Sequence, residues 1–104
     1  MMKRKTRTDR NHAIYVITNV LTEQQYIGVT VCSGSMKKAL KVRMQKHVRR
    51  ALTENKDWAL CKNIREFGVE AFTYGLVETL RGKAVAHARE RELTKVYNPE
   101  LNTL

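Results

Sequence analysis

The sequence predicts an α+β domain: a small three-stranded antiparallel sheet flanked by helices, in the order β-β-α-α-β-α. Three observations carry that reading. Two runs rich in Ile, Val, Tyr and Thr, at 13–18 and 25–31, lie on either side of a short polar link. Leu40, Met44, Val48 and Ala51 recur at helical spacing, as a stripe that packs on a sheet. A third β-rich run is followed directly by a second long helical pattern.

Each element follows from local chemistry. The link between the first two strands is short enough for an antiparallel hairpin. Gly28, inside the second strand, signals a close backbone approach or a bulge. CSGS at 32–35 reads as a loop, with Ser35 as N-cap of a helix over about 36–53. A second helix is expected over about 57–67, with Leu60, Ile64 and Phe67 facing inward, ended by Gly68. Residues 71–78, with Phe72, Tyr74, Leu76 and Val77, read as the third strand. The last helix is expected over 83–97, stopped by Asn98-Pro99.

The chain of 104 residues fits one domain, at 12–104, after a basic flexible arm at 1–11 that carries Lys3, Arg4, Lys5, Arg7 and Arg10. A net charge of +10 on so short a chain points to a polyanion, with nucleic acid the first candidate. A membrane is a poorer one, since there is no lipidation motif and no apolar run of spanning length. The basic N-terminus lacks the continuous apolar run of a secretory signal. Cys32 and Cys61, without a CxxC, read as free thiols in a reducing cytosol.

Arg43 and His47 are four apart, at the edge of the apolar stripe, where both reach over the hairpin. Arg50 continues the line, among Lys37, Lys38, Lys41, Lys46 and Arg49. A solvated basic face satisfies the same spacing. Glu90 aligns with Ala86, Leu93 and Tyr97, and a carboxylate there needs a partner or a metal. Glu92 flanks the opposite edge of that arc, and a salt bridge to a neighbouring Arg or Lys is the alternative for both. His12 and His87 read as ordinary surface histidines. Tyr15 and Tyr26, taken alone, are sheet aromatics.

Taken in order, these residues resemble the GIY-YIG nuclease family. The chain has AIY at 13–15, YIG at 26–28, Arg43 with His47, REFG at 65–68 with Phe72 soon after, Glu90, and NPELN at 98–102. The resemblance spans about residues 13–102. Each word is short; their order gives the signal its weight. Ala13 stands where the family has its first glycine, and the stretch around VCSGSMKK is longer than usual.

The resemblance implies a divalent-metal-dependent DNA endonuclease, bacteriophage-type and free-standing, acting in the host cytoplasm. Tyr15 and Tyr26 would face one catalytic cleft. Glu90 would be the single protein ligand of one Mg²⁺ or Mn²⁺, which suits an ion that keeps several waters. Arg43 would hold the scissile phosphate. Tyr15, its pKa lowered by nearby cations and a hydrogen bond to His47, would act as general base or water relay. Tyr26 would position water or phosphate, and His47 would take the proton. Lys41, Lys46 and Arg50 would contact nucleic acid, and Asn102 would tie down the C-terminal segment or touch substrate. One site cuts one strand, so a double-strand break needs two events or two protomers, as in a homodimer. The alternative is a non-catalytic nucleic-acid-binding regulator on the same scaffold.

Overall fold

The computed structural model describes residues 10–32 and 34–102. Residues 1–9 of the expected arm, and Ser33 of the expected loop, lie outside them. The architecture is α+β. β1 (Asn11–Asn19) and β2 (Gln25–Cys32) form the hairpin; α1 (Met36–Leu52) and α2 (Ala59–Phe67) follow; β3 (Phe72–Arg81) and α3 (Lys83–Tyr97) complete the chain. The sheet is antiparallel in the order β2-β1-β3, so the first strand is central. No helix among the described residues is long and apolar enough to cross a membrane.

β1 is the most buried strand because it is paired on both sides and covered on both faces. Its alternation divides the core. Ala13, Tyr15 and Ile17 join Leu40, Met44, Ala51, Leu60 and Ile64 under α1 and α2. Ile14 joins Ile27 and Leu93 under α3. Burying each Ile side chain is worth about 1.5–3 kcal/mol, so both faces contribute to stability.

The hairpin turn hangs on Asn19, which is fully buried. Its Oδ1 accepts the Leu21 and Thr22 amides, and its Nδ2 donates to Asn63 Oδ1 at 2.7 Å on α2. A buried amide satisfied at both ends fixes a turn and its partner helix together.

Helix ends follow local rules. The Ser35 hydroxyl accepts the Lys38 amide at the start of α1. Arg65 donates to the Ala51 carbonyl at 2.9 Å, satisfying an orphan of the last turn. α2 starts at Ala59, two residues later than expected: Asn55 turns at φ +53, and Trp58, the N-cap, is still extended. Gly68, at φ +86, ends that helix. α3 runs from 83 to 97 as expected, and its C-cap Asn98 is left-handed at φ +47.

β3 is longer than expected and changes face midway. Ile14 pairs with Glu78 and Tyr15 with Leu76, so Val77 is passed over as a bulge. A one-residue slip moves side chains to the other face. Leu80 therefore packs against the α3 cluster, and Glu78 accepts a 2.8 Å bond from Arg89 of α3. The bulge is here and not at Gly28.

Candidate functional site

Register sets the first pair of groups. Tyr15 lies opposite Gly28, and Tyr26 is two residues before Gly28, so both phenols project on the α1 side of the sheet. Gly28 supplies the space. A Cβ there would lie 2.6 Å from Tyr15 Cζ and Oη and 2.8 Å from Tyr26 Cε2. The glycine is needed for close approach and not for its φ. Ala13 is fully buried and has no positive φ, so alanine serves at that position without backbone strain.

α1 brings His47 down onto the phenols. It is 3% exposed and takes a place in the buried stripe, whereas Val48 is only half-buried. Tyr15 Oη and His47 Nε2 lie 2.8 Å apart, and the Tyr26 ring meets the imidazole edge-on at 5.1 Å. Among the described residues His47 Nδ1 is buried without a hydrogen-bond partner. With the imidazole proton on Nδ1, the Tyr15 hydroxyl donates to Nε2.

Electrostatics keep this pair neutral. Burial, with the charges of Arg43, Arg50 and Lys46, lowers the His47 pKa to about 4. Burial and the neighbouring Tyr26 push the Tyr15 phenol upward, outweighing Arg43. This corrects the expectation that cations lower Tyr15: Arg43 acts in that sense, but desolvation is larger. Burial also raises Tyr26.

Glu90 arrives from α3, on the opposite face of the sheet. It reaches the same place because β2 is an outer strand. Tyr26, His47, Arg50, Trp58 and Glu90 line one cavity of about 440 Å³ with Leu101 and Asn102; Arg43 and the buried Tyr15, expected at the same cleft, do not line it. Burial raises the Glu90 carboxyl. His87 Nδ1 lies 4.0 Å from it, and His87 and Arg91 act against the rise. Glu92 differs: it is exposed and paired with Arg89 at 2.9 Å. A salt bridge to Arg or Lys thus describes Glu92, whereas the Glu90 carboxylate lines the cavity. No group of three or more potential metal ligands occurs among the described residues, so a cation here would rest on Glu90, water and substrate.

Arg43 is half-buried, one turn before His47, and its charge acts on Tyr15, Tyr26 and His47. It borders a separate, larger cleft, about 1160 Å³, with Arg10, His12, Arg81, Lys83, His87 and Arg91. Among the described residues no carboxylate lines that cleft. Lys46 borders a third cleft beside Arg43, whereas Lys41 is exposed and lines none of the three.

Asn102 ties down the C-terminal segment. Its Oδ1 accepts the Ile27 amide and its Nδ2 donates to the Ile27 carbonyl, both at 2.9 Å, and Leu101 N–H donates to the Gln25 carbonyl. These bonds cover the free edge of β2. His12 departs from the surface reading: it is 7% exposed, with Nδ1 bonded to the Arg10 carbonyl. Both cysteines are buried and free.

Sequence reasoning missed Trp58 and, apart from Arg10, the cleft cations outside α1. The first had a signal, a lone tryptophan in the polar stretch ENKDW. The second had none, because its members come from separate elements. No family model matches the chain, and neither a curated protein nor a solved structure matches it.

Proposed function

We propose that this chain is a GIY-YIG-type, divalent-metal-dependent DNA endonuclease with one active site per protomer. The observation that supports it most is one cavity lined by His47, whose Nε2 is hydrogen-bonded to the buried Tyr15 hydroxyl, and by the desolvated carboxylate of Glu90. These groups come from three elements and from both faces of the sheet.

In this reading water attacks the phosphorus. Tyr15 takes the water proton at Oη while passing its own to His47 Nε2, so neither group has to be charged beforehand. Burial leaves the imidazole neutral at pH 7 and able to accept that proton, as a weaker base than an ordinary histidine. Tyr26 holds the water or a phosphate oxygen. Arg43 balances the charge that gathers on the phosphate. Glu90 fits as the holder of Mg²⁺ or Mn²⁺, because its carboxylate is desolvated and lines the cavity. Bound there, the ion supplies positive charge to the phosphate and to the leaving oxygen. The cationic cleft that Arg43 lines offers a path for flanking phosphates.

A non-catalytic DNA-binding protein would use the same cations. It would not need a carboxylate beside the phosphate, nor a buried proton relay. Plasmid nicking separates the two. Wild type should convert supercoiled DNA with Mg²⁺ or Mn²⁺ and not with EDTA; Glu90→Ala should bind DNA and leave it uncut. Retention of most of the cleavage by Glu90→Ala would overturn the metal-ligand role, and binding without cleavage by wild type would favour the regulator.

A further inference from the structure

Trp58 is the chain's only tryptophan, and the nuclease chemistry makes no use of it. It precedes α2 in extended backbone, and its carbonyl accepts the Lys62 amide at 2.9 Å, so the backbone beneath the ring is held. The side chain is 41% exposed, which leaves much of a large apolar ring in solvent. The indole forms part of the wall that includes Tyr26, His47 and Glu90. The Arg50 guanidinium lies 5.3 Å from its ring centroid and the Lys56 ammonium 5.6 Å.

We propose that Trp58 is a stacking platform for an unpaired base beside the scissile phosphate, and that the substrate is therefore single-stranded or branched DNA. The inference rests on the nuclease reading and names its substrate class. An exposed aromatic with cations at its faces matches how single strands are held: bases stack on the ring while the cations take the backbone. Lys56 is exposed, so an arriving base can move its ammonium off the ring and onto a phosphate. Stacking of a base outweighs an exposed cation–π contact, so the exchange is favourable. Bases inside a duplex are already stacked on one another and do not offer a face to a side chain at the backbone. Stacking also tolerates any base.

Because Trp58 is the sole tryptophan, its emission reports this ring alone. The experiment is a fluorescence and affinity titration in EDTA, where no strand is cut. The probes are a short single-stranded oligonucleotide of mixed sequence, an abasic strand of equal length, and a blunt duplex. The base-bearing strand should quench the emission to saturation, and the abasic strand should bind by charge with little quenching. Trp58→Ala should weaken the base-bearing strand about tenfold while the abasic strand loses little, and Trp58→Phe should recover most of the loss. Equal quenching and affinity for abasic and base-bearing strands would overturn the platform while leaving the nicking result untouched. Preference for the blunt duplex would overturn the substrate class. Absence of binding to any of the three would overturn the nuclease reading as well.

Discussion

Acid should destabilise this protein through one buried imidazole. His47 is 3% exposed, and its folded pKa is about 4. In the unfolded chain it titrates near 6.5. Between those values the unfolded state binds more protons, so stability rises with pH across that window. The contribution is complete above about pH 6.5 and is lost as pH falls towards 4. Linkage puts the loss at about 2 kcal/mol at pH 5 and about 3 kcal/mol at pH 4. Glu90 works in the opposite sense: burial raises its carboxyl, so the folded state protonates first. A comparison of two proteins isolates the histidine. Urea unfolding of wild type and His47→Gln, at pH 7 and pH 5, provides it. The wild-type midpoint should fall about 1–2 M further than that of the variant, for a slope of about 1–2 kcal/mol/M. Equal pH dependence in the two proteins, or a His47 ring titrating near 6.5 by NMR, would refute the reasoning. The same displacement keeps Nε2 able to accept a proton down to about pH 5, so the acid limb of cleavage should lie well below 6.

Other perturbations test the remaining geometry. Gly28→Ala places a methyl against both phenols and should cost about 1–3 kcal/mol by overpacking, with a larger proportional loss of nicking than of DNA affinity. A variant with wild-type urea midpoint and nicking rate would contradict that contact. Asn102→Ala removes two bonds to Ile27 and should cost about 1–3 kcal/mol, read as faster amide exchange at Ile27; unchanged protection would mean that the segment is held otherwise. Arg43→Ala should raise the His47 pKa and cut turnover about 10²-fold or more, while DNA affinity drops much less. An equal loss of affinity and turnover would make Arg43 a binding residue only.

Periodicity found the helices because their apolar stripes are long, and the Ser35, Gly68 and Asn98-Pro99 signals placed three ends within a residue or so. It misplaced the start of α2, since a polar run says little about where an extended chain first turns. It also stopped β3 early. The bulge at Val77 has no sequence signal, and without it Leu80 and Glu78 would not reach α3. At the site, the order of short words brought forward Tyr15, Tyr26, Arg43, His47 and Glu90. It did not say that His47 is buried, or that desolvation outweighs Arg43 at Tyr15. Both depend on how much protein surrounds a group, which is set by packing and not by neighbours in the chain.

The sequence by itself determined the α+β class, the element order, the basic charge and the residue types at each candidate position, because these depend on local propensity and periodicity. Tertiary structure alone decided that Glu90, from one face of the sheet, shares a cavity with His47, from the other. It also decided that Asn102 closes the β2 edge and that Trp58 stands at the cavity wall. Those relations join residues dozens of positions apart, and only strand register and helix packing set such distances.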